Sequence, residues 1–480
     1  MNVLFAASEC APYAKVGGLG DVIAALPKEL VKHGVSVDIV MPLYEPLLQA
    51  KMDQFIVDQT GLGNRFVVHF MGKEESCKLF CIPIPNTSVR LFLIHNDTYL
   101  SNGEIYLSPS AFAEGDDEML RFMFFSKAVF TLMERGVFVY DVIHANDYHS
   151  SYLLYLIKNE KALGNRPRLV LTIHNSGNQG VIKNEKINIE INGKTLEHNL
   201  LGMGIASADV VVPVSENYAR ELASGKFCFG LEHIIRAFSE KMHGIVNGID
   251  AELYNPRKDP VLPEKYDENS FEKGKSAAKK VVFDETGWKH EDGQFLVGFV
   301  SRLADQKNIR LLDDSLRIVL RNAKNRELMK FVFLGMGEQK YVNALQDLAN
   351  AYPENVKFFN IFHEELAHKI FAGSDLFLIP SVFEPCGLTQ LIAMRYGTLP
   401  LATQVGGLVD TISDAPETQT GFFIQQVDPN FVSVNILDLY TVWKNAKDMW
   451  DAIVRNAMTK DFSWTEPAKK YTNLYTNPIQ

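Results

Sequence analysis

A glycine-rich turn with a lysine stands near the start of the chain. The apolar run 3–7 predicts a buried first strand, and Lys15, Gly17 and Gly18 follow it. Asp21 stands where it would cap the helix that comes next. Backbone N–H groups at such a turn approach an anion closely, but the spacing matches neither the dinucleotide motif nor the P-loop. The turn therefore predicts either a site for a phosphate-bearing ligand held in another way, or a tight turn with a solvated Lys15.

Two further cations follow an apolar run in the second half of the chain. Arg302 and Lys307 come directly after residues 295–301, which predict a strand. A guanidinium can bind phosphate oxygens through two donors, whereas a lysine acts as a point charge. Two solvated bases in a loop are the alternative. Because the chain as a whole is acidic, the pair favours an anion-binding loop.

A turn with one carboxylate follows a later predicted strand, 375–380. Glu384 can accept hydrogen bonds from sugar hydroxyls or balance a positive charge, or it can be an exposed turn residue. The residues after it predict the start of a helix whose N–H groups face a ligand. Pro385 and Gly387 fix the turn around Cys386, and the helix opens at Leu388 and Thr389. A cysteine in this position is more often a packing residue than a nucleophile.

Polar residues also end two predicted strands of the first half, 141–144 and 168–173. Asp147 and His174 stand there, and such groups suit the recognition of hydroxyls. The nearby histidines lack the carboxylate cluster that would complete a metal site, so no metal is expected. Asn247 lies near the predicted connection between the two halves of the chain. It is either part of an ordinary turn or a group that belongs to the site.

Short apolar runs alternate with helical patterns along most of the chain. This alternation predicts parallel α/β construction. A polar, charge-rich stretch at 255–293 separates the halves, and a new apolar run follows it. We therefore expect two doubly wound α/β domains, connected near 245–260. Ligands of such sheets bind beyond the carboxyl ends of the strands, so we expect the site in a cleft between the domains.

Composition excludes several classes of protein. The 480 residues carry a net charge of −10, and 46% are hydrophobic, which argues against a nucleic-acid-binding face. The five cysteines have no paired spacing, which fits a reducing compartment. We expect a cytoplasmic protein without a membrane segment, or a plastid protein only if a transit peptide has been removed. The motifs together favour group transfer driven by positioning and leaving-group stabilisation.

Taken in order, the motifs resemble those of bacterial glycogen synthases and plant starch synthases. The resemblance covers nearly the whole chain. Its motifs are Lys15-Val16-Gly17-Gly18-Leu19, His174-Asn175 with Gln179-Gly180, Asn247-Gly248-Ile249-Asp250, Arg302 to Lys307, Phe383 to Gln390, Val405-Gly406-Gly407-Leu408 and Asp461-Phe462-Ser463-Trp464.

The resemblance implies a GT-B fold, in which two Rossmann-like domains face each other across a cleft. Residues 1–245 would form the acceptor-side domain, 246–457 the domain for the nucleotide sugar, and 458–480 a helix crossing back to the first. It also implies retaining transfer of glucose from ADP-glucose to the non-reducing 4-OH of an α-1,4-glucan, without metal or other cofactor. Alternatives are UDP-glucose or another acceptor, and a catalytically weak glucan-binding homologue.

The resemblance also assigns roles to residues. Lys15, Arg302 and Lys307, with the backbone of Gly18, would meet the phosphates, and Glu384 and His174 would meet the glucosyl group. These five side chains form the expected catalytic group. The remaining donor-binding residues would be Gly17, Gly18, Asp21, Asp147, Asn247, Phe362, Cys386, Gly387, Leu388 and Thr389. Phe362 stands where the family places an aromatic ring over the adenine.

The chain departs from the family pattern at a few positions. Asn308 replaces the usual glycine after Lys307, and Val382 replaces a basic residue before the glutamate motif. Residues 360–363 differ from the usual Gly-Tyr-Asp-like run. These departures leave the nucleotide preference and the catalytic rate open.

Overall fold

A computed structural model describes most of the chain, as two compact units. The described residues are 1–47, 65–106, 117–159, 163, 166–182, 190–191, 194–195, 199–291 and 293–476. The first unit is Met1–Gly248 with Trp464–Gln480, and the second is Ile249–Ser463. The chain thus passes between units at 248/249 and 463/464, compared with predicted boundaries at 245/246 and 457/458.

The first unit is built on an eight-stranded sheet. Its strands are β1 (Asn2–Ala6), β2 (Ser36–Pro42), β3 (Arg65–Phe70), β4 (Lys73–Pro83), β5 (Arg90–His95), β6 (Val142–Asn146), β7 (Arg168–Ile173) and β10 (Val210–Pro213). The short strands β8 (Glu190–Ile191) and β9 (Lys194–Thr195) pair with each other in a separate two-stranded sheet. The order in the eight-stranded sheet is β10-β7-β6-β1-β2-β5-β4-β3. The sheet is parallel from β10 to β5, but β3, β4 and β5 pair antiparallel, so it is mixed rather than wholly parallel.

Helices cover this sheet. They are Gly18–Lys32, Asp117–Glu134, Asp147–Asn159, Leu200–Ser207, Glu216–Ala223, Glu232–Ala237 and Thr465–Thr476, with a 3₁₀ turn at Ser239–Lys241. The first helix begins at Gly18, and its N-cap residue is Gly17. The prediction that Asp21 caps this helix was therefore wrong: Asp21 lies within the first turn, because the small residues of the motif are themselves helical.

The last described helix packs against the centre of the first sheet. His144, on β6, contacts Tyr475 through Nδ1 at 2.7 Å and Thr172 through Nε2 at 2.7 Å. The ring of Tyr471 lies 5.4 Å from the His144 ring. Because all these groups are buried, the C-terminal helix is part of the first unit's core.

The second unit is built on a six-stranded parallel sheet. Its strands are β11 (Phe295–Val300), β12 (Met329–Leu334), β13 (Val356–Phe359), β14 (Leu376–Ile379), β15 (Leu399–Ala402) and β16 (Phe422–Phe423). The order is β13-β12-β11-β14-β15-β16. The helices are Phe271–Thr286, Ile309–Arg321, Ala323–Leu328, Gln339–Ala351, Glu364–Gly373, Thr389–Arg395, Gly406–Thr411, Pro429–Asn445 and Lys447–Thr459, with a 3₁₀ turn at Asp305–Lys307.

The polar stretch predicted to separate the halves contains a core helix. Phe271–Thr286 packs within the second unit, although its composition is charge-rich. Lys275 is buried, and its Nζ donates to the carbonyl oxygens of Ala372 at 2.9 Å and Ser374 at 2.8 Å. Charged residues predict an exposed segment, but a lysine can be buried where it binds carbonyl oxygens. The charge pattern therefore did not reveal this helix.

Two α/β domains built on mainly parallel sheets are therefore present, as the sequence predicted, with the antiparallel edge of the first sheet as the departure. Parallel sheets covered on both faces need near-continuous apolar strands, and Val3 to Ala6 of β1 are fully buried. No helix in the described ranges is long and apolar enough to cross a membrane.

Candidate active site

The glycine-rich turn after β1 is organised by a carboxylate that sequence reasoning missed. Oε2 of Glu9 accepts hydrogen bonds from the backbone N–H groups of Val16 at 2.7 Å and Gly17 at 2.9 Å. Its Oε1 accepts from the Tyr106 hydroxyl at 2.5 Å. Glu9 is only 3% exposed. Two N–H groups of the turn that was expected to hold an anion, those of Val16 and Gly17, are thus bound to the Glu9 carboxylate.

Lys15 lies beside the start of the first helix. Its Nζ is 2.9 Å from Oδ1 of Asp21, and the two side chains are 18% and 24% exposed. Asp21 therefore positions Lys15. A cation held at this end of the helix, with partial access to solvent, is placed to contact an anion.

Asp147 connects the ends of two neighbouring strands. It directly follows β6 and has a positive φ of +53°. Its Oδ1 accepts from the backbone N–H of His174 at 2.7 Å and of Asn175 at 3.3 Å, both just after β7. Burial raises the pKa of this carboxyl to about 7, and the two backbone donors oppose the rise. Asp147 thus holds the turn that carries His174.

The orientation of the His174 ring follows from its neighbour Asn146. The Asn146 amide nitrogen donates to the carbonyl oxygens of Ala6 and His144, each at 3.3 Å. Its Oδ1, 3.0 Å from Nε2 of His174, must then accept from that ring nitrogen. Burial lowers the pKa of His174 to about 3, so the ring is neutral. Nδ1 is left as the acceptor nitrogen.

Asn247 lies at the same edge of the first sheet. The segment before it runs beside β10, since the N–H of Ile245 donates to the carbonyl oxygen of Pro213 at 3.0 Å. Asn247 is 6% exposed, and its Oδ1 has no hydrogen-bond partner among the described residues. An unsatisfied buried acceptor costs about 1–3 kcal/mol, so this oxygen is suited to a ligand hydroxyl.

Lys307 and Glu384 form an ion pair in the second unit. Nζ of Lys307 lies 2.5 Å from Oε2 of Glu384, and the side chains are 16% and 9% exposed. The Ser381 hydroxyl donates to the same oxygen at 2.8 Å. Gln306 links the two loops, since its Nε2 donates to the carbonyl oxygen of Phe383 at 2.9 Å. The structure thus brings together a cation and a carboxylate that follow different strands, β11 and β14.

Positive φ angles and close approaches explain the small residues around this pair. Asn308 has φ +52°, a conformation that glycine adopts freely and asparagine tolerates, so the departure from the family glycine preserves the turn. A Cβ on Gly406 would lie 1.9 Å from the carbonyl oxygen of Glu384. The N–H of Gly407 donates to that oxygen at 3.0 Å. The glycine pair therefore packs directly against the backbone of the Glu384 turn and holds it in place.

The helix after Glu384 begins at Thr389, with Leu388 as N-cap residue and no side-chain cap. Gly387 precedes it with φ +73°, and Cys386 is buried. Gln390, which sequence reasoning did not single out, donates from Nε2 to the carbonyl oxygens of Cys386 at 3.0 Å and Gly387 at 2.9 Å. This turn is thus held rigidly at a helix start, where N–H groups favour an anion or a hydroxyl oxygen.

Arg302 and Phe362 lie further out at the same edge of the second sheet. Arg302 follows β11 and is exposed, and Phe362 follows β13 and is 66% exposed. These strands are separated by β12, so their ends are about 10 Å apart. Among the described residues, His, Cys, Asp and Glu side chains form no group of three or more that could hold a metal ion.

Comparison with known families places the chain among glucan synthases. Residues 2–237 match the starch synthase catalytic domain, and residues 283–453 match glycosyl transferases group 1. A glycogen synthase of Streptococcus uberis is 36% identical over 99% of both chains. A glycogen synthase of Fervidobacterium nodosum is 34% identical over 99% of this chain and 98% of its own.

Solved structures agree with these matches. The catalytic domain of starch synthase IV from Arabidopsis thaliana, bound to ADP and acarbose, has a TM-score of 0.87 and 29% identity, covering 100% of this chain and 99% of its own. A sucrose-phosphate synthase from Thermosynechococcus elongatus, at 16% identity and a TM-score of 0.61 over 99% of this chain and 98% of its own, shares the fold. The GT-B fold and the family resemblance predicted from the motifs are confirmed. The chain belongs to the family of bacterial glycogen synthases and plant starch synthases.

Proposed function

We propose that this chain elongates an α-1,4-glucan with glucose from ADP-glucose, adding it to the non-reducing 4-OH with retention and releasing ADP. Full-length similarity to glycogen synthases supports the polymer as acceptor. The likeness to a starch synthase domain bound to ADP and acarbose supports an adenine nucleotide donor.

The observation that carries the proposal is the Lys307–Glu384 pair at the carboxyl edge of the second sheet. A lysine has three N–H donors, so Lys307 retains donors for phosphate oxygens while it holds Glu384. The exposed Arg302 follows the same strand and adds a second cation. Positive charge aimed at the departing diphosphate stabilises the charge that develops as the glucosyl bond breaks. With this charge supplied by side chains, the proposed reaction requires no metal.

Glu384 and the helix after it hold the glucosyl group in this proposal. Oε2 of Glu384 is engaged by Lys307 and Ser381, which directs Oε1 to a sugar hydroxyl. The backbone from Cys386 to Thr389 offers further contacts at the helix start. The exposed ring of Phe362 stacks on the adenine.

Residues of the first unit have roles of their own in this proposal. Lys15, positioned by Asp21, binds phosphate together with the backbone of Gly18, while Glu9 holds the N–H of Gly17. Nδ1 of His174 accepts a hydrogen bond from a sugar hydroxyl, and Asp147 keeps that histidine in place. The unpaired Oδ1 of Asn247 accepts another.

A donor panel with glycogen as acceptor tests the proposal. We expect ADP-glucose to give the highest kcat/KM, UDP-glucose to give less, and the rate to persist in EDTA. The anomeric proton signals of the product, measured by NMR, should report new α-linked residues. Preference for UDP-glucose, dependence on added metal or a β-linked product would each contradict the corresponding part of the proposal.

A further inference from the structure

The loop between helices Glu216–Ala223 and Glu232–Ala237 has an unusual backbone. Phe227 has φ +55° and Phe229 has φ +50°, although neither is a glycine. Bulky residues rarely adopt this region, and they remain in it only where the surrounding structure enforces it. Backbone held in this way is concentrated at functional sites.

Two buried side chains from the segment after β7 enforce this conformation. The Ser176 hydroxyl donates to the carbonyl oxygen of Phe227 at 2.6 Å. Nε2 of Gln179 donates to the carbonyl oxygens of Cys228 at 3.0 Å and Phe229 at 3.1 Å. Ser176 and Gln179 belong to the same turn as His174, so the loop is attached to the segment that carries this histidine.

The Gln179 amide is itself held in one orientation. Nδ2 of Asn199 donates to Oε1 of Gln179 at 2.6 Å. Its amide nitrogen therefore faces the loop, and its position is set by a second buried side chain. A polar network with each group satisfied makes the backbone of the loop rigid.

This rigid loop presents an aromatic ring to solvent. Cys228 is 1% exposed and anchors the middle of the loop, whereas Phe229 is 49% exposed. The loop lies at the end of the sheet where β7 ends and His174 follows, which is the end where α/β sheets bind ligands. The fold thus keeps a strained backbone and leaves half of a large apolar ring exposed.

We infer that Phe229 is a stacking platform for a glucosyl unit of the acceptor chain, an inference that rests on the proposed function. The C–H groups of a pyranose ring carry partial positive charge and pack on the negative face of an aromatic ring. The ring has no charge or polar atom with which to bind a diphosphate. The proposed partner of the adenine is Phe362 in the second unit, so the Phe229 ring is assigned to the glucan chain.

Direct binding of maltoheptaose, measured by calorimetry without donor, tests the inference. Phe229→Ala should bind about tenfold more weakly, which corresponds to about 1.4 kcal/mol. Phe229→Trp should bind at least as tightly as the wild type, because it keeps an aromatic face. Phe431→Ala, which removes a ring that is 47% exposed in the second unit, is the matched control and should bind normally.

Steady-state kinetics separate this role from a structural one. Phe229→Ala should raise KM for glycogen and leave KM for ADP-glucose unchanged. Phe229→Leu keeps an apolar side chain without the ring and should behave in the same way, so the test does not depend on one variant folding. Wild-type affinity for maltoheptaose in Phe229→Ala or Phe229→Leu would overturn this inference and leave the proposed function unaffected. If the wild type neither binds maltoheptaose nor transfers glucose, the proposed function fails as well.

Discussion

Replacing Lys307 with methionine tests the proposed donor site, because it removes the cation and keeps most of the side-chain volume. Nζ of Lys307 lies 2.5 Å from Glu384, and both side chains are largely buried. After the change, the Glu384 carboxylate keeps one donor among the described side chains, the Ser381 hydroxyl. It should affect stability through Glu384 and activity through the lost contact with phosphate.

The two effects have different sizes. Opposite charges about 4 Å apart attract by about 4 kcal/mol at an effective dielectric constant of about 20, and the cost of desolvating them offsets part of this. Removal of one partner leaves the other charge buried and uncompensated, so we expect Lys307→Met to lower the free energy of unfolding by about 3 kcal/mol. Loss of one preorganised group that stabilises developing charge lowers kcat by about 100-fold to 1,000-fold.

A double variant separates the two effects. Glu384→Gln removes the stranded charge, so Lys307→Met with Glu384→Gln should recover most of the stability and none of the activity. Urea unfolding and kcat/KM for ADP-glucose at saturating glycogen measure both quantities. Lys324→Ala, at an exposed lysine of the same unit, is the control. Activity of Lys307→Met within about twofold of the wild type would refute the phosphate role.

Three further variants test other contacts. A Cβ on Gly17 would meet no atom within 4 Å, so Gly17→Ala should unfold normally on heating yet raise KM for ADP-glucose severalfold, because the methyl group fills the open space beside the turn; an unchanged KM would contradict close approach of the phosphates to this turn. Glu9→Gln weakens the charge-assisted bonds to the glycine-rich turn and should lower the free energy of unfolding by about 1–2 kcal/mol in urea; wild-type stability would mean that these bonds contribute little. Burial lowers the pKa of His149 to about 3, so between pH 6.5 and about 3 the unfolded chain binds more protons at this residue, and stability falls as the pH falls. His149→Phe should reduce that decline by up to about 1.4 kcal/mol per pH unit in denaturant titrations, and an unchanged pH slope would show that His149 is not the group responsible.

The strands could be predicted because parallel sheets demand apolar runs. For this reason β11 lies within the predicted range 295–301, and β1 covers residues 3–6 of the predicted run 3–7. Helix Phe271–Thr286 was missed because its buried lysines bind backbone carbonyl oxygens that only the folded chain supplies. A pattern based on charge cannot detect such partners.

The candidate site was predictable where residues follow strand ends. This rule identified Lys307 and Glu384. It did not predict their direct contact, because that contact depends on β11 and β14 being neighbours in the sheet. Glu9 follows β1 in the same way, so applying the rule to the first strand would have found it. Gln390 binds carbonyl oxygens within its own turn, and no spacing signal marks it.

Transfer of radiolabelled glucose from ADP-glucose to glycogen by the purified wild-type chain tests the central claim most directly. We expect label to enter the polymer and ADP to be released in equal amounts, and Lys307→Met to slow both together by about 100-fold to 1,000-fold. Release of ADP without label in the polymer, or no reaction of the folded chain with any nucleotide sugar, would contradict this claim.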